Sequence, residues 1–218
     1  MITLQSKLPR KIAVAVSGGV DSMAALHFLS RNHDVTALHI NHNEGNSDEA
    51  EQAVYSLCYD LNCSLQVKRI NTARPAGISL EEFWRNERYA LFHSTNDTIV
   101  TAHTLDDCVE TWIWSSMHGT GKIIPYSNRN VVRPFMLNRK RQFTSWAEKN
   151  VLPWVEDSSN ADLSLTRNYI RNVIMPNVLQ VNPGIHSTIR KKVKQQYVER
   201  VCPSYYNFSF PTQVCNPS

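Results

Sequence analysis

Lys11-Ile12-Ala13-Val14-Ala15-Val16-Ser17-Gly18-Gly19-Val20-Asp21-Ser22 decides how this chain is read. Lys11 to Val16 is a short run of apolar residues and reads as a buried strand. From Val20 to Arg31, apolar residues at Met23, Leu26, Phe28 and Leu29 predict a helix. Between strand and helix lie two glycines, whose lack of a Cβ lets the backbone approach an anion closely. The helix start adds unsatisfied N–H groups and the positive end of its dipole. Ser17 and Ser22 bring hydroxyl donors, and Asp21 can hold a metal ion or orient a nucleotide. An ordinary glycine turn is the plain alternative, and the three polar residues framing the glycines weigh against it. No GKS or GKT pair follows, so this is not a Walker A loop, and it is not GxGxxG either.

Working outward, the same alternation repeats. Val35 to Ile40, Leu65 to Ile70 and Thr98 to Ala102 read as strands. Ser47 to Leu61, Leu80 to His93 and Leu105 to Met117 read as helices. Ser47 is the expected N-cap of the first of these. Ser79, with Glu82 three residues on, has the pattern of a capping box for the second. Strands alternating with helices predict an α/β fold: a Rossmann-like parallel sheet with helices on both faces. Ligands of such sheets bind beyond the carboxyl ends of the strands. Ser17 to Ser22, His39 to His42 and His103 to Glu110 all fall there, which points to one active site.

Beyond Met117 the pattern changes. Thr120 to Asn130 is turn-rich, and Val131-Val132 is a last short strand before Arg133-Pro134. Asn138 to Asn150 reads as a basic helix and Pro153 to Asn160 as a loop. Leu165 to Ile174 reads as helical until Pro176 interrupts it. Ile185 to Val201 is a final helix, and the tail from Pro203 is expected to be extended or loosely packed. The division that follows is a nucleotide domain over 1–137, a small helical C-terminal extension over 138–201 contributing to the site and to RNA contact, and a tail over 202–218.

Composition narrows the class. The chain has 218 residues, 42% hydrophobic and 19% charged, with a net charge of +4. That allows a nucleic-acid partner without requiring one. The five cysteines, Cys58, Cys63, Cys108, Cys202 and Cys215, form no CxxC and no zinc spacing, so free thiols in a reducing cytoplasm are expected. Neither an apolar run long enough to span a bilayer nor a signal-peptide pattern is present, so no membrane partner is expected.

The Ser-Gly-Gly-Val-Asp-Ser loop resembles that of the PP-loop ATP pyrophosphatases, which cleave ATP between its α and β phosphates. Further motifs narrow the resemblance: His39-Ile40-Asn41-His42, Leu80 to Tyr89, Thr101 to Thr111, Gly119-Thr120-Gly121, Arg133-Pro134, Glu156 to Asn160, Thr166 to Arg171 and Asn182-Pro183. In this order they resemble the tRNA(Ile)-lysidine synthetase family, from about Lys11 to Pro183. Asp157-Ser158-Ser159-Asn160 and Arg167-Asn168-Tyr169-Ile170-Arg171 are the specific part. The sequence departs from the family at Asn43-Glu44-Gly45-Asn46, where His-Gly-Leu-Arg is typical, and at His118, where arginine is usual. The C-terminal domains with which many relatives grip tRNA are expected to be absent or vestigial.

The resemblance implies an adenine nucleotide alpha hydrolase-like fold and a ligase using ATP and Mg2+. ATP adenylates the C2 carbonyl oxygen of the wobble cytidine in tRNA(Ile) with a CAU anticodon. The ε-amine of free L-lysine then expels AMP, giving lysidine. Ser17, Gly18, Gly19, Val20, Asp21 and Ser22 are the expected ATP site, with Asp21 as the candidate Mg2+ ligand and Arg88 matching an ATP-site arginine. His103 either caps the next helix or contacts phosphate. Asp107 and Glu110 are three apart on a helix and share a face. They form either a solvated acidic face or a pocket for the lysine ammonium, in which one carboxylate can accept a proton. Asp106 points elsewhere. Arg167 and Arg171, with Asn168 beside them, are either solvent-facing or contact tRNA phosphates or the activated base. Cys108 reads as packing, which weighs against sulfur transfer. The alternatives kept are another PP-loop enzyme with a different nucleophile and an RNA-binding module that has lost turnover.

Overall fold

A computed structural model describes residues 1–156 and 162–201. Asp157-Ser158-Ser159-Asn160 and the tail 202–218 lie outside the described residues. The strands are β1 (Lys11–Ala15), β2 (Asp34–Asn41), β3 (Ser64–Arg69), β4 (Ile99–Val100), β5 (Ser127–Asn128) and β6 (Val131–Val132). Between and after them run α1 (Val20–Ser30), α2 (Ser47–Asp60), α3 (Leu80–His93), α4 (Leu105–Met117), α5 (Lys140–Lys149), α6 (Thr166–Tyr169), α7 (Met175–Val181) and α8 (Ile185–Val201).

Six strands form one sheet in the order β3-β2-β1-β4-β6-β5. All pairs are parallel except β5 with β6, an antiparallel hairpin at the edge. The expected parallel sheet therefore gains one antiparallel edge strand. Ser127–Asn128 is too short and polar for periodicity to mark it as a strand. Chain order reverses between β1 and β4, so the crevice above those two strands is the topological switch point, where ligands bind in open α/β sheets.

Period-2 alternation on β1 buries both faces. Ile12 and Val14 enter one core with α1, α2 and α5, while Ala13 enters another with Leu38 and Phe92 of α3. Phe135, Phe143 and Ala147 lie in the first of these cores at 0% exposure, which fastens α5 to the sheet through α1. Leu105, Val109 and Ile113 of α4 pack with Ile185, Ile189 and Val193 of α8 in a third core.

Two local expectations are corrected. Asn46, not Ser47, occupies the N-cap of α2, and its side chain makes no cap bond. Pro176 does not stop the helix that begins at Thr166. A π-helical turn at Ile170–Ile174 joins α6 to α7, and the N–H of Met175 bonds the carbonyl of Ile170. That wider register, together with the place of Pro176 in the first turn of α7, carries the chain past the proline. The Ser79 cap is present: its side chain accepts from the N–H of Glu82 at 3.2 Å.

Candidate active site

The loop after β1 is held from three sides. Gly18 has φ +89, and a Cβ there would lie 2.7 Å from the Cβ of Ala50 on α2. No side chain fits at that position, and the backbone conformation itself favours glycine. The carbonyl of Gly18 accepts from the N–H of Val155 at 3.0 Å, so the segment after α5 closes over the loop. From within, Ser22 Oγ donates to the Gly19 carbonyl at 2.9 Å and accepts from the Ser17 N–H at 3.1 Å. Gly19 is the N-cap of α1 and supplies no capping side chain. The first N–H groups of α1 thus rely on water or a ligand, as at other anion-binding helix starts.

Asp21 stands in the first turn of α1. Its Oδ1 is buried without a hydrogen-bond partner among the described residues, and Oδ2 lies 3.7 Å from Lys140 Nζ. Burial raises its carboxyl pKa to about 6; Lys140 opposes that rise and the charge of Asp107 adds to it. An orphaned, partly neutralised carboxylate fits a cation that arrives with phosphates. Mg2+ commonly takes one or two carboxylates and completes its shell from phosphate and water. Among the described residues no group of three or more His, Cys, Asp or Glu is placed to hold a metal ion by itself.

Across the crevice, α4 opens on a capping box. Thr104 Oγ1 accepts from the Asp107 N–H at 3.4 Å, and Asp107 Oδ2 accepts from the Thr104 N–H at 2.6 Å and from its hydroxyl at 2.8 Å. This turns Asp107 Oδ1 to Arg167, whose Nη2 donates to it at 2.6 Å. One turn on, Glu110 is 5% exposed. It accepts from Arg171 Nε at 2.7 Å and Nη2 at 3.0 Å, and from Arg167 Nε at 3.2 Å. Two carboxylates and two guanidiniums thus form one interlocked, charge-balanced cluster. Burial works against ionisation of Asp107, but Arg167, His103 and Thr104 outweigh it and hold the carboxyl below its usual range.

His103 follows β4 and its Nδ1 pairs with Thr101 Oγ1 at 2.9 Å. Burial first, and then the fields of Arg133, Arg167 and Arg88, lower its pKa to about 4 against the pull of Asp107. It is a neutral imidazole at neutral pH and does not cap α4, a role Thr104 fills. Arg88 is exposed on α3 and close enough for its charge to act on His103. On β2, buried His39 uses Nδ1–H to donate to the Val16 carbonyl at 2.8 Å, bracing the loop. The ring of His42 lies 4.7 Å from that of Trp84.

The structure therefore gathers Asp21, His103, Asp107, Glu110, Arg167 and Arg171 around the switch point, with Asp107 and Arg171 acting electrostatically on Asp21. Asn168 differs from the arginines beside it. It is buried, and its amide donates to the Asp162 carbonyl at 3.0 Å, ordering the turn before α6. Asp106 turns away from the cluster, as its helix position implied. It accepts from Arg139 Nε at 3.1 Å and the Lys140 N–H at 2.8 Å, and pairs with His186 Nε2 at 3.2 Å. Sequence reading missed this joint between α4, α5 and α8, and also missed Thr104 as the residue that aims Asp107. A threonine three residues before an aspartate at a helix start was the available signal.

With that geometry in place, comparison defines the class. Residues 2–178 match the PP-loop domain, and the chain belongs to that family. Among named relatives, it is 34% identical over 198 residues to tRNA(Ile)-lysidine synthase of Legionella pneumophila, covering 84% of this chain and 46% of that protein. It is 32% identical over 195 residues to tRNA(Ile)-lysidine synthase of Coxiella burnetii, covering 82% and 43%. The chain spans about half the length of the curated relatives it matches. In fold it is similar to the U34-tRNA thiolase NcsA of Methanococcus maripaludis, with a TM-score of 0.70 at 17% identity over 87% of this chain and 72% of that one.

Proposed function

We propose that this chain carries the catalytic site of a tRNA(Ile)-lysidine synthase. ATP adenylates the C2 oxygen of the wobble cytidine in tRNA(Ile) bearing CAU, and pyrophosphate leaves. Free L-lysine attacks C2 through its ε-amine, AMP leaves, and lysidine remains. The observation that carries this reading is the Asp107–Glu110 pair, placed across the switch point from the Ser17–Ser22 loop and balanced by cations.

In this reading the loop glycines and the N–H groups of α1 hold the nucleotide phosphates, with Ser17, Ser22 and Arg88 beside them. Asp21 is the residue that would hold Mg2+, whose chemistry when bound is to offset the charge developing on the leaving pyrophosphate. Neutral His103 donates to or accepts from the nucleotide without adding charge. Asp107 and Glu110 receive the lysine ammonium, which takes the place of one guanidinium. The released Arg167 or Arg171 then meets an anion of the substrate. Proton acceptance by a carboxylate of the pair frees the amine for attack. Residues 138–201 act as the extension that closes the site, through Lys140, Arg167 and Arg171.

A sulfur-transferring relative would need a pair of cysteines or a cysteine-held cluster at the site. Cys108, beside Asp107, is fully buried, and burial drives its thiol pKa well above normal. That favours an amine as the nucleophile. The test is incorporation of labelled lysine into a CAU-anticodon tRNA transcript with ATP and Mg2+. Stoichiometric AMP and lysine-dependent label are expected. AMP release that ignores lysine but responds to a sulfur donor or another amine would overturn the reading.

A further inference from the structure

A second basic feature lies at the sheet edge opposite β3. A cleft of about 340 Å³ runs between α3 and the β5–β6 hairpin, lined by Arg85, Asn86, Tyr89, His93, Asn128 and Arg129. No carboxylate among the described residues lines it. Arg69, Arg139, Arg167 and Arg171 each sit on acidic partners, whereas Arg85 and Arg129 are exposed and have none among the described residues. Arg85 instead lies over the ring of Tyr89, 5.0 Å from its centroid.

Beneath the cleft is a third guanidinium. Arg133 is 3% exposed. Its Nη2 donates to the Tyr89 hydroxyl at 2.8 Å, its Nη1 donates to the Pro125 carbonyl at 2.8 Å, and its Nε is buried without a partner among the described residues. Every acceptor it uses is neutral, so its charge is not cancelled. A buried cation without a counter-ion is costly, and an anion nearby offsets that cost. Because the Tyr89 oxygen accepts from Arg133, its own hydroxyl proton is left to donate elsewhere.

The hairpin adds an independent observation. Arg129 has φ +51, a left-handed conformation that glycine adopts without strain. The neighbouring Asn130 amide donates to the carbonyls of Phe92, Thr95 and Asp97, locking the hairpin to the end of α3. An arginine is thus held where glycine is preferred, on the rim of a cleft that no carboxylate of the described residues lines. From Arg85 to His93 the cleft follows α3 for about 12 Å at 1.5 Å per residue, longer than a single phosphate.

We propose that this cleft binds the phosphate backbone of the substrate RNA, with Arg85 and Arg129 on successive phosphates and Tyr89 and the two asparagines as neutral donors. The inference rests on the reading that the substrate is an RNA. It adds a contact surface on the sheet edge, separate from Arg167 and Arg171.

The test is binding of a fluorescent CAU-anticodon tRNA transcript to the full chain from 50 to 300 mM salt, for wild type, Arg85→Gln, Arg129→Gln and the double variant. Each substitution should lower the slope of log affinity against log salt by about 1, and the double variant should bind roughly tenfold more weakly at 0.1 M salt. Affinity for a fluorescent ATP analogue should stay unchanged. Arg129→Gly separates charge from folding: it should raise the melting temperature by relieving the backbone while weakening RNA binding. Unchanged RNA affinity and slope in the double variant, with a wild type that binds, would overturn the cleft and leave the proposed function standing. Pyrophosphate binding that is lost in the double variant while RNA affinity and slope stay at wild-type values would likewise overturn it, reassigning the cleft to a free anion. A wild type that binds no RNA at all would sink both readings.

Discussion

The two sides of the crevice are built by opposite means. The phosphate loop is built mainly from within: Ser17, Gly19 and Ser22 bond to one another inside six residues. The cluster facing it is long-range: Asp107 and Glu110 meet arginines about sixty positions away. Local construction yields a rigid cradle fixed by backbone geometry. Long-range construction yields ion pairs that a charged substrate can compete for. The first suits a phosphate tail common to every turnover, the second a ligand that must be admitted and then consumed.

Asp21→Asn breaks the comparison most severely. Pyrophosphate release should fall at least about a thousandfold, as when a group acting on developing charge is removed. The same variant should be more stable by about 2 kcal/mol at pH 8, because it removes a buried charge. Full activity by pyrophosphate assay would end the role given to Asp21. Gly18→Ala tests the rigid side. With φ +89 and Ala50 in the way, it should cost about 2 to 4 kcal/mol in urea unfolding. A loss within 0.5 kcal/mol would mean that the loop yields, contrary to a rigid cradle.

Glu110→Gln probes the exchangeable side. The lysine KM should rise by tenfold or more, and a double-mutant cycle with Arg171→Gln should give a coupling of about 1 to 3 kcal/mol. Zero coupling would show that the ion pair carries no weight. A pH series sharpens the contrast further. The folded-state pKa of Asp21 is raised, to about 6 from 3.8. Its contribution to stability is therefore fully present below about pH 4 and is lost as pH rises through 6. Mg-dependent ATP affinity should move the opposite way, rising through pH 6 as the carboxylate ionises, and the step should vanish in Asp21→Asn. The smallest effect is expected at Ser79→Ala, away from both sides: about 1 kcal/mol from the lost cap of α3, read from thermal unfolding with lysine KM unchanged.

What could be read in advance follows the same division. β1, the glycine turn and α1 are contiguous, so hydrophobic period and turn chemistry expose them together. That Asp107 and Glu110 share a helix face also follows from spacing alone. That Arg167 and Arg171 lie on them does not, because pairing across sixty residues depends on how α6 packs against α4. Pro176 was misleading for a physical reason: proline forbids a regular α-helical bond, and a π-helical turn escapes that rule. Arg133 carried a motif but no sign that it would be buried against neutral acceptors. Asn168 shared its motif with the two arginines, yet its short amide reaches back to Asp162 instead of outward.

The contact between Gly18 and Ala50 constrains how such a chain can change over evolutionary time. Two positions far apart in sequence share space for only one Cβ, and that belongs to Ala50. Any side chain at 18 pushes on α2. A side chain at position 18 therefore requires α2 to move, and α2, which bears none of the residues proposed for the chemistry, is tied sterically to the nucleotide loop.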